Sequence, residues 1–158
     1  MHEKHEKTNA MRQLDRKKAV YTVHSYDGGA LSGTEVAAAL GQDPAHCFKT
    51  LVTVGRNGGY YVFMIPVAAE LDLRKAASAA GEKSVAMLPQ KELLPLTGYI
   101  HGGCSPIGMK KQFPTFADAT IADGETVCFS GGRVGLQIET TLAALQSVVP
   151  VTLADLTV

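Results

Sequence analysis

Residues 48–66 read FKTLVTVGRNGGYYVFMIP. Phe48–Val54 and Tyr60–Pro66 are both rich in β-branched and aromatic residues, and Arg56-Asn57-Gly58-Gly59 separates them. Asn-Gly between two such runs is a strong hairpin signal, so an antiparallel pair is expected here. A second hairpin is expected at Thr126–Ser130 and Leu136–Glu139, joined by the turn GGRVG. Further out, Val20–Tyr26 reads as a strand ended by Asp27-Gly28-Gly29, and residues 8–18 as a short helix with Met11 and Leu14 on one side. Ser32 or Thr34 caps a helix through Glu35–Leu40, with Gly41 in the usual stopping position. Asp72 caps LRKAASAA, and Gly81 stops it. Ser84–Leu88 is a short strand and Gln90–Leu94 a helical turn; Thr140 or Thr141 opens a last helix to about Val148, ended by Pro150. The segment 97–114 holds four glycines and two prolines in 18 residues, which predicts loop built around a short strand at Tyr99–His101. Strands outnumber helices and are joined by hairpins. The expected fold is α+β: one domain with a mixed, mostly antiparallel β-barrel or sheet and flanking helices, spanning residues 8–158 behind a flexible leader at 1–7.

The chain has 158 residues, with 15 basic and 15 acidic side chains and no net charge. That length supports a real core without disulfides or metal. Neutrality argues against tight nucleic-acid binding by charge alone, since such affinity comes from neutralising many phosphates. Arg12, Arg16, Lys17, Lys18, Lys110 and Lys111 are candidates for weak phosphate contacts, and a solvated face is the plainer reading of them. No apolar run is long enough to span a bilayer, and the charged beginning MHEKHEKTNA is not a secretory signal. Three widely spaced cysteines, Cys47, Cys104 and Cys128, make no disulfide framework, which suits a reducing cytoplasm. No metal or cofactor is expected. His101 and Cys104 have the spacing of half a zinc site, but the other two ligands are missing from the pattern.

Common catalytic signatures are absent: no G-x-S-x-G elbow, no H-E-x-x-H and no phosphate loop leading into a helix. The glycines of SGGRVG serve either a plain hairpin turn or close approach of backbone N–H groups to a ligand. Lys49 begins the apolar run FKTLVTV, where an inward-facing ammonium is costly without a partner; it lies either in a pocket or at an exposed strand end. Gly102-Gly103 is either an irregular loop or a source of oxyanion-binding N–H groups. Cys47, two residues before Lys49 on the same strand face, is a candidate nucleophile or a small core residue.

Three segments together carry a resemblance. CFKTLV around Lys49, TGYIHGGCSPIGMKK at 97–111 and SGGRVGLQIE at 130–139 closely resemble the YbaK/EbsC family of aminoacyl-tRNA deacylases, as does the helix in PVAAELDLRKAASAAG at 66–81. These are free-standing relatives of the editing domain of bacterial prolyl-tRNA synthetase. The resemblance runs from about Tyr21 to Leu145. It implies a small α+β domain on a mixed β-barrel, acting in the cytoplasm on mischarged aminoacyl-tRNA, above all Cys-tRNA(Pro), in association with prolyl-tRNA synthetase. It also implies substrate-assisted chemistry, in which the substrate's thiol attacks its own carbonyl. Lys49 and Gly102 become the catalytic residues, with Tyr26, Thr50, Gly103, Ser130, Gly132 and Gln137 binding substrate. Two positions depart: Leu31 or Ser32 stands where the family has an aromatic residue, and Gln137 replaces an aspartate, as in another branch. Rival readings are a deacylase for another amino acid such as alanine, using a positioned water, and a non-catalytic module that binds aminoacyl-tRNA.

Overall fold

In the computed structural model, residues 6–27, 29 and 31–158 are described. Residues 1–5 of the expected leader, with His2 and His5, lie outside them, as does Gly28 of the first turn. Lys7 pairs with Asp15.

The chain first forms α1 (Asn9–Arg16), β1 (Thr22–Ser25) and α2 (Gly33–Ala39). The hairpin β2 (Phe48–Gly55) and β3 (Tyr60–Pro66) follows, with α3 (Leu73–Ala80), β4 (Val85–Met87) and α4 (Gln90–Thr97) after it. Last come β5 (Thr115–Asp118), β6 (Val127–Ser130), β7 (Leu136–Thr140), α5 (Leu142–Val148) and β8 (Val151–Ala154). The β2–β3 hairpin forms in the register Lys49↔Ile65 through Val54↔Tyr60, and β6–β7 forms the second antiparallel pair.

The strands fall into two sheets, ordered β4-β2-β3-β5-β8 and β1-β7-β6, not one closed barrel. Two pairings in the larger sheet, β3–β5 and β5–β8, are parallel. The strands that make them, β5 and β8, carry no hairpin signal and go unseen in the sequence pattern. Their partners are distant in the chain, and a parallel pair needs a crossover that leaves no local mark. The sheets join at a seam where the backbone of Cys47, at the head of β2, pairs in parallel with that of Cys128 in β6.

β3 is central and buried on both faces. Val62, Phe63, Met64 and Ile65 are all fully enclosed. The strand's two-residue period sends Phe63 and Ile65 towards Ala76 and Ala77 of α3, and Met64 into the main core. That core joins Leu14 of α1, Phe48 of β2, Phe129 of β6, Ile138 of β7 and Leu145 of α5. The caps of α2, α3 and α5, Ser32, Asp72 and Thr141, are among those the sequence pattern indicates. Ser32 and Glu35 form a reciprocal capping box, and the Asp72 carboxylate accepts from the Arg74 and Lys75 N–H groups.

Two local expectations fail. Residues 99–101 form no strand, because Gly98 and Gly102 on either side take a positive φ of 86° and turn the chain. The turn at Gln90–Leu94 continues through Pro95 to Thr97, a full helix. Leu93 and Leu96 pack against Tyr99 and Met109, and this burial outweighs the loss of one N–H at the proline.

α1 is a core element and not an appendage. Leu14→Ala is expected to cost about 2–5 kcal/mol, read from the urea midpoint, because it empties a fully buried site. Arg16→Ala on the outer face should change stability by less than about 0.5 kcal/mol. Equal effects would remove α1 from the core.

Candidate active site

A cavity of about 350 Å³ opens beside the seam between the sheets. β2 contributes Phe48, Lys49, Thr50 and Leu51; the loop after α4 contributes His101, Gly102 and Cys104; β6 and β7 contribute Ser130 and Gln137. Tyr26, Leu31 and Ser32 close it from the segment that follows β1. Lys49, Thr50, Gly102, Tyr26, Ser130 and Gln137, drawn from four separate parts of the sequence, therefore share one space.

Gly103 and Gly132 do not line it. A Cβ on Gly103 would lie 2.9 Å from the Val134 nitrogen and 3.1 Å from the Arg133 carbonyl carbon. The glycine thus lets the 98–104 loop press against the β6–β7 turn. Its N–H is also engaged, by the Ile100 carbonyl at 2.9 Å. Gly132 adopts a positive φ of 99° against Thr8 and Tyr99, and its N–H donates to Ser130 Oγ at 3.2 Å. Neither N–H is left for a substrate oxygen. Gly102, with φ of 86°, holds the exposed corner of the loop, and among the described residues its N–H has no backbone partner.

Among the described residues Lys49 has no ion-pair partner, and the cavity lining holds no carboxylate. Beside it, Thr50 Oγ1 is buried and makes no hydrogen bond. A half-buried ammonium and an unsatisfied hydroxyl in one cavity favour a ligand bearing negative charge and hydrogen-bonding oxygens. Leu31, Val36, Val67 and Leu93 give the opposite walls an apolar character. Those walls, and His101 as a cavity residue, are missed by sequence reasoning; the family motif contains His101, but only the folded loop aims it at Lys49's cavity.

The cysteines are buried and free. Cys47 is not in the lining, although it precedes Lys49 by two residues. It packs with Ala37 and Cys128 behind the cavity wall, and its Sγ lies 3.5 Å from Gln42 Oε1. A hydrogen bond from Cys128 lowers the Cys47 thiol pKa, and the Cys128 thiol is raised in return. Cys104 does line the cavity, but burial pushes its thiol up to about 12, so it is protonated at neutral pH. No group of three His, Cys, Asp or Glu among the described residues could hold a metal, so His101 and Cys104 find no further ligands.

Residues 29–148 match the family described as aminoacyl-tRNA editing domains. The chain belongs to that family. It is 44% identical over 154 residues to a protein of Enterococcus faecalis named for Cys-tRNA(Pro)/Cys-tRNA(Cys) deacylase, EbsC, covering 96% of this chain and 94% of the other. A crystal structure described as a trans-editing enzyme for prolyl-tRNA synthetase superposes with a TM-score of 0.83 at 26% identity, over 94% of this chain and 92% of that one. A hypothetical protein at 22% identity shares the fold, with a TM-score of 0.87 over 96% of this chain and the whole of the other.

The loop carrying Gly102 is held by protonated groups. Tyr99 donates to the Ile107 carbonyl at 2.7 Å, and its pKa rises to about 12, first through desolvation and then through Cys104. Cys104 stands as high. In the unfolded chain these groups ionise near 10 and 9, so the folded state holds protons the unfolded state gives up. Stability is then full below about pH 9 and is lost as pH rises towards 12. Urea midpoints between pH 8 and 10.5 should fall, and Cys104→Ala should flatten that fall. An unchanged slope in the variant would contradict the assignment.

Proposed function

We propose that the protein clears Cys-tRNA(Pro) by substrate-thiol-assisted deacylation, with the cavity holding the aminoacyl end. The carrying observation is an unpaired Lys49 beside an unpartnered Thr50 hydroxyl in a cavity with no carboxylate. An aminoacyl ester is already activated, so positioning and charge stabilisation suffice for rapid cleavage. Lys49 would anchor a phosphate of the tRNA end, and the Gly102 N–H would donate to the ester carbonyl. The substrate's thiol loses its proton and attacks that carbonyl. A C–S bond forms, the C–O bond to ribose breaks, and the ribose oxygen takes up a proton. Ser130 and Tyr26 complete the binding surface. The identity to EbsC over nearly the full length supports cysteine as the amino acid. With no net charge the chain captures tRNA only weakly on its own, which supports a role in the cytoplasm in association with prolyl-tRNA synthetase as the source of tRNA capture.

A second reading rests on His101, which lines the same cavity and could take a proton from a water. Substrates separate the two. With thiol assistance, Cys-tRNA(Pro) is cleaved while its S-alkylated form and Ser-tRNA(Pro) survive, because a hydroxyl ionises far less readily than a thiol. Equal rates on all three would favour the water mechanism.

Lys49→Ala should fold normally and lose more than tenfold in kcat/KM, as expected for a charge-assisted contact. Wild-type activity in the folded variant would remove Lys49 from the site. In the same assay, Cys104→Ala and Cys47→Ser should keep most activity; loss of turnover in a folded Cys47→Ser protein would indicate covalent catalysis instead.

A further inference from the structure

Gln137 lines the cavity, and only one end of its amide is tied down. Its Nε2 donates to Gln42 Oε1 at 2.6 Å and lies 3.8 Å from Cys47 Sγ. Gln42 Oε1 also receives the Cys47 thiol at 3.5 Å, so two donors converge on that carbonyl. Among the described residues Gln137 Oε1 has no hydrogen-bond partner, and because Gln137 lines the cavity this oxygen is an acceptor still open to a ligand there.

Gln42 owes its place to the end of α2. Gly41 takes a positive φ of 65°, and the Gln42 N–H donates to the Ala37 carbonyl at 2.8 Å. This capping geometry fixes where the Gln42 side chain leaves the backbone. Gln137 is equally fixed, paired to Ser130 on one side and His24 on the other. Gln42 Nε2 is buried without a partner, so the amide carries a cost that its contacts with Gln137 and Cys47 must offset.

We propose that Gln42 is a positioning residue for substrate choice: it holds the Gln137 amide with its carbonyl oxygen towards the cavity, where it accepts a hydrogen bond from the substrate's α-amino group. This rests on the reading of the cavity as an aminoacyl site. The α-amino group is the one strong donor that every aminoacyl ester carries, and its charge makes the hydrogen bond stronger than a neutral one. A carbonyl facing the cavity favours it over an α-hydroxyl; an amide NH₂ facing the cavity would not.

The test compares Cys-tRNA(Pro) with the same tRNA carrying 2-hydroxy-3-mercaptopropanoate, which keeps the thiol and replaces the amino group. Wild-type enzyme should prefer the aminoacyl form by about tenfold or more in kcat/KM, mostly through KM. Gln42→Met should fold, since it removes an amide whose NH₂ is already unpaired. It should lose this preference while cleaving the hydroxyacyl form at the wild-type rate. Gln42→Glu, which keeps an acceptor for Gln137, should restore the preference. In a Gln137→Met background, Gln42→Met should have no further effect. Equal wild-type rates on the two substrates would overturn the inference and leave the deacylase reading standing. So would a Gln42→Met protein that loses both substrates together, which would mark Gln42 as merely structural. Failure of wild-type enzyme to cleave either ester would instead overturn the deacylase reading, and this inference with it.

Discussion

The parallel backbone pairing of Cys47 with Cys128, two free cysteines, is the constraint on which the site depends. It is where the head of β2 leaves one sheet and meets the other, so that residues from β2, β6 and β7 face one another across a narrow gap. Lys49 and Thr50 follow immediately on β2, and Ser130 ends β6 opposite Gln137 on β7. The two sheets also pack face to face through the main core, where Phe48 and Met64 meet Phe129 and Ile138, and the cavity lies beside the seam.

That cavity is floored by the largest core cluster, through Phe48, and roofed by a glycine-rich loop. The loop contains no regular structure, yet residues 103–109 are buried. Tyr99 and Ser105 hold it by hydrogen bonds to Ile107, and Gly103 lets it lie against the β6–β7 turn. Among the described residues the Gly102 N–H has no partner, and in the proposed mechanism a donor held in this way needs no reorganisation when charge develops on the ester carbonyl. The glycines divide accordingly: Gly102 lines the cavity, while Gly103 and Gly132 permit the close packing of the loop and the turn beside it.

Much of this was legible in the sequence, for local reasons. The Asn57-Gly58 turn, the caps Ser32 and Asp72, and the stop at Gly81 are short-range devices whose signals lie within a few residues. The motif around Lys49 and those at 97–111 and 130–139 marked the site residues by their resemblance to a family. What stayed hidden is long-range. β5 and β8 pair in parallel with strands far away in the chain, and the contact of Gln42 with Gln137 spans 95 residues. No periodicity records such pairings. Cys47 has extended backbone leading into β2, as the shared face with Lys49 requires, but it is buried beside Val67 and Cys128 and does not reach the cavity, and no local pattern records that burial.

The central claim is that the seam cavity holds an aminoacyl ester so that its own thiol can reach its carbonyl. The most direct measurement is the identity of the first product, caught by rapid quench and mass spectrometry during a single turnover of Cys-tRNA(Pro). The account predicts a cyclic thioester, lighter than cysteine by one water, appearing before free cysteine. Free cysteine from the outset, with solvent oxygen in its carboxylate and no thioester at any time, would contradict it.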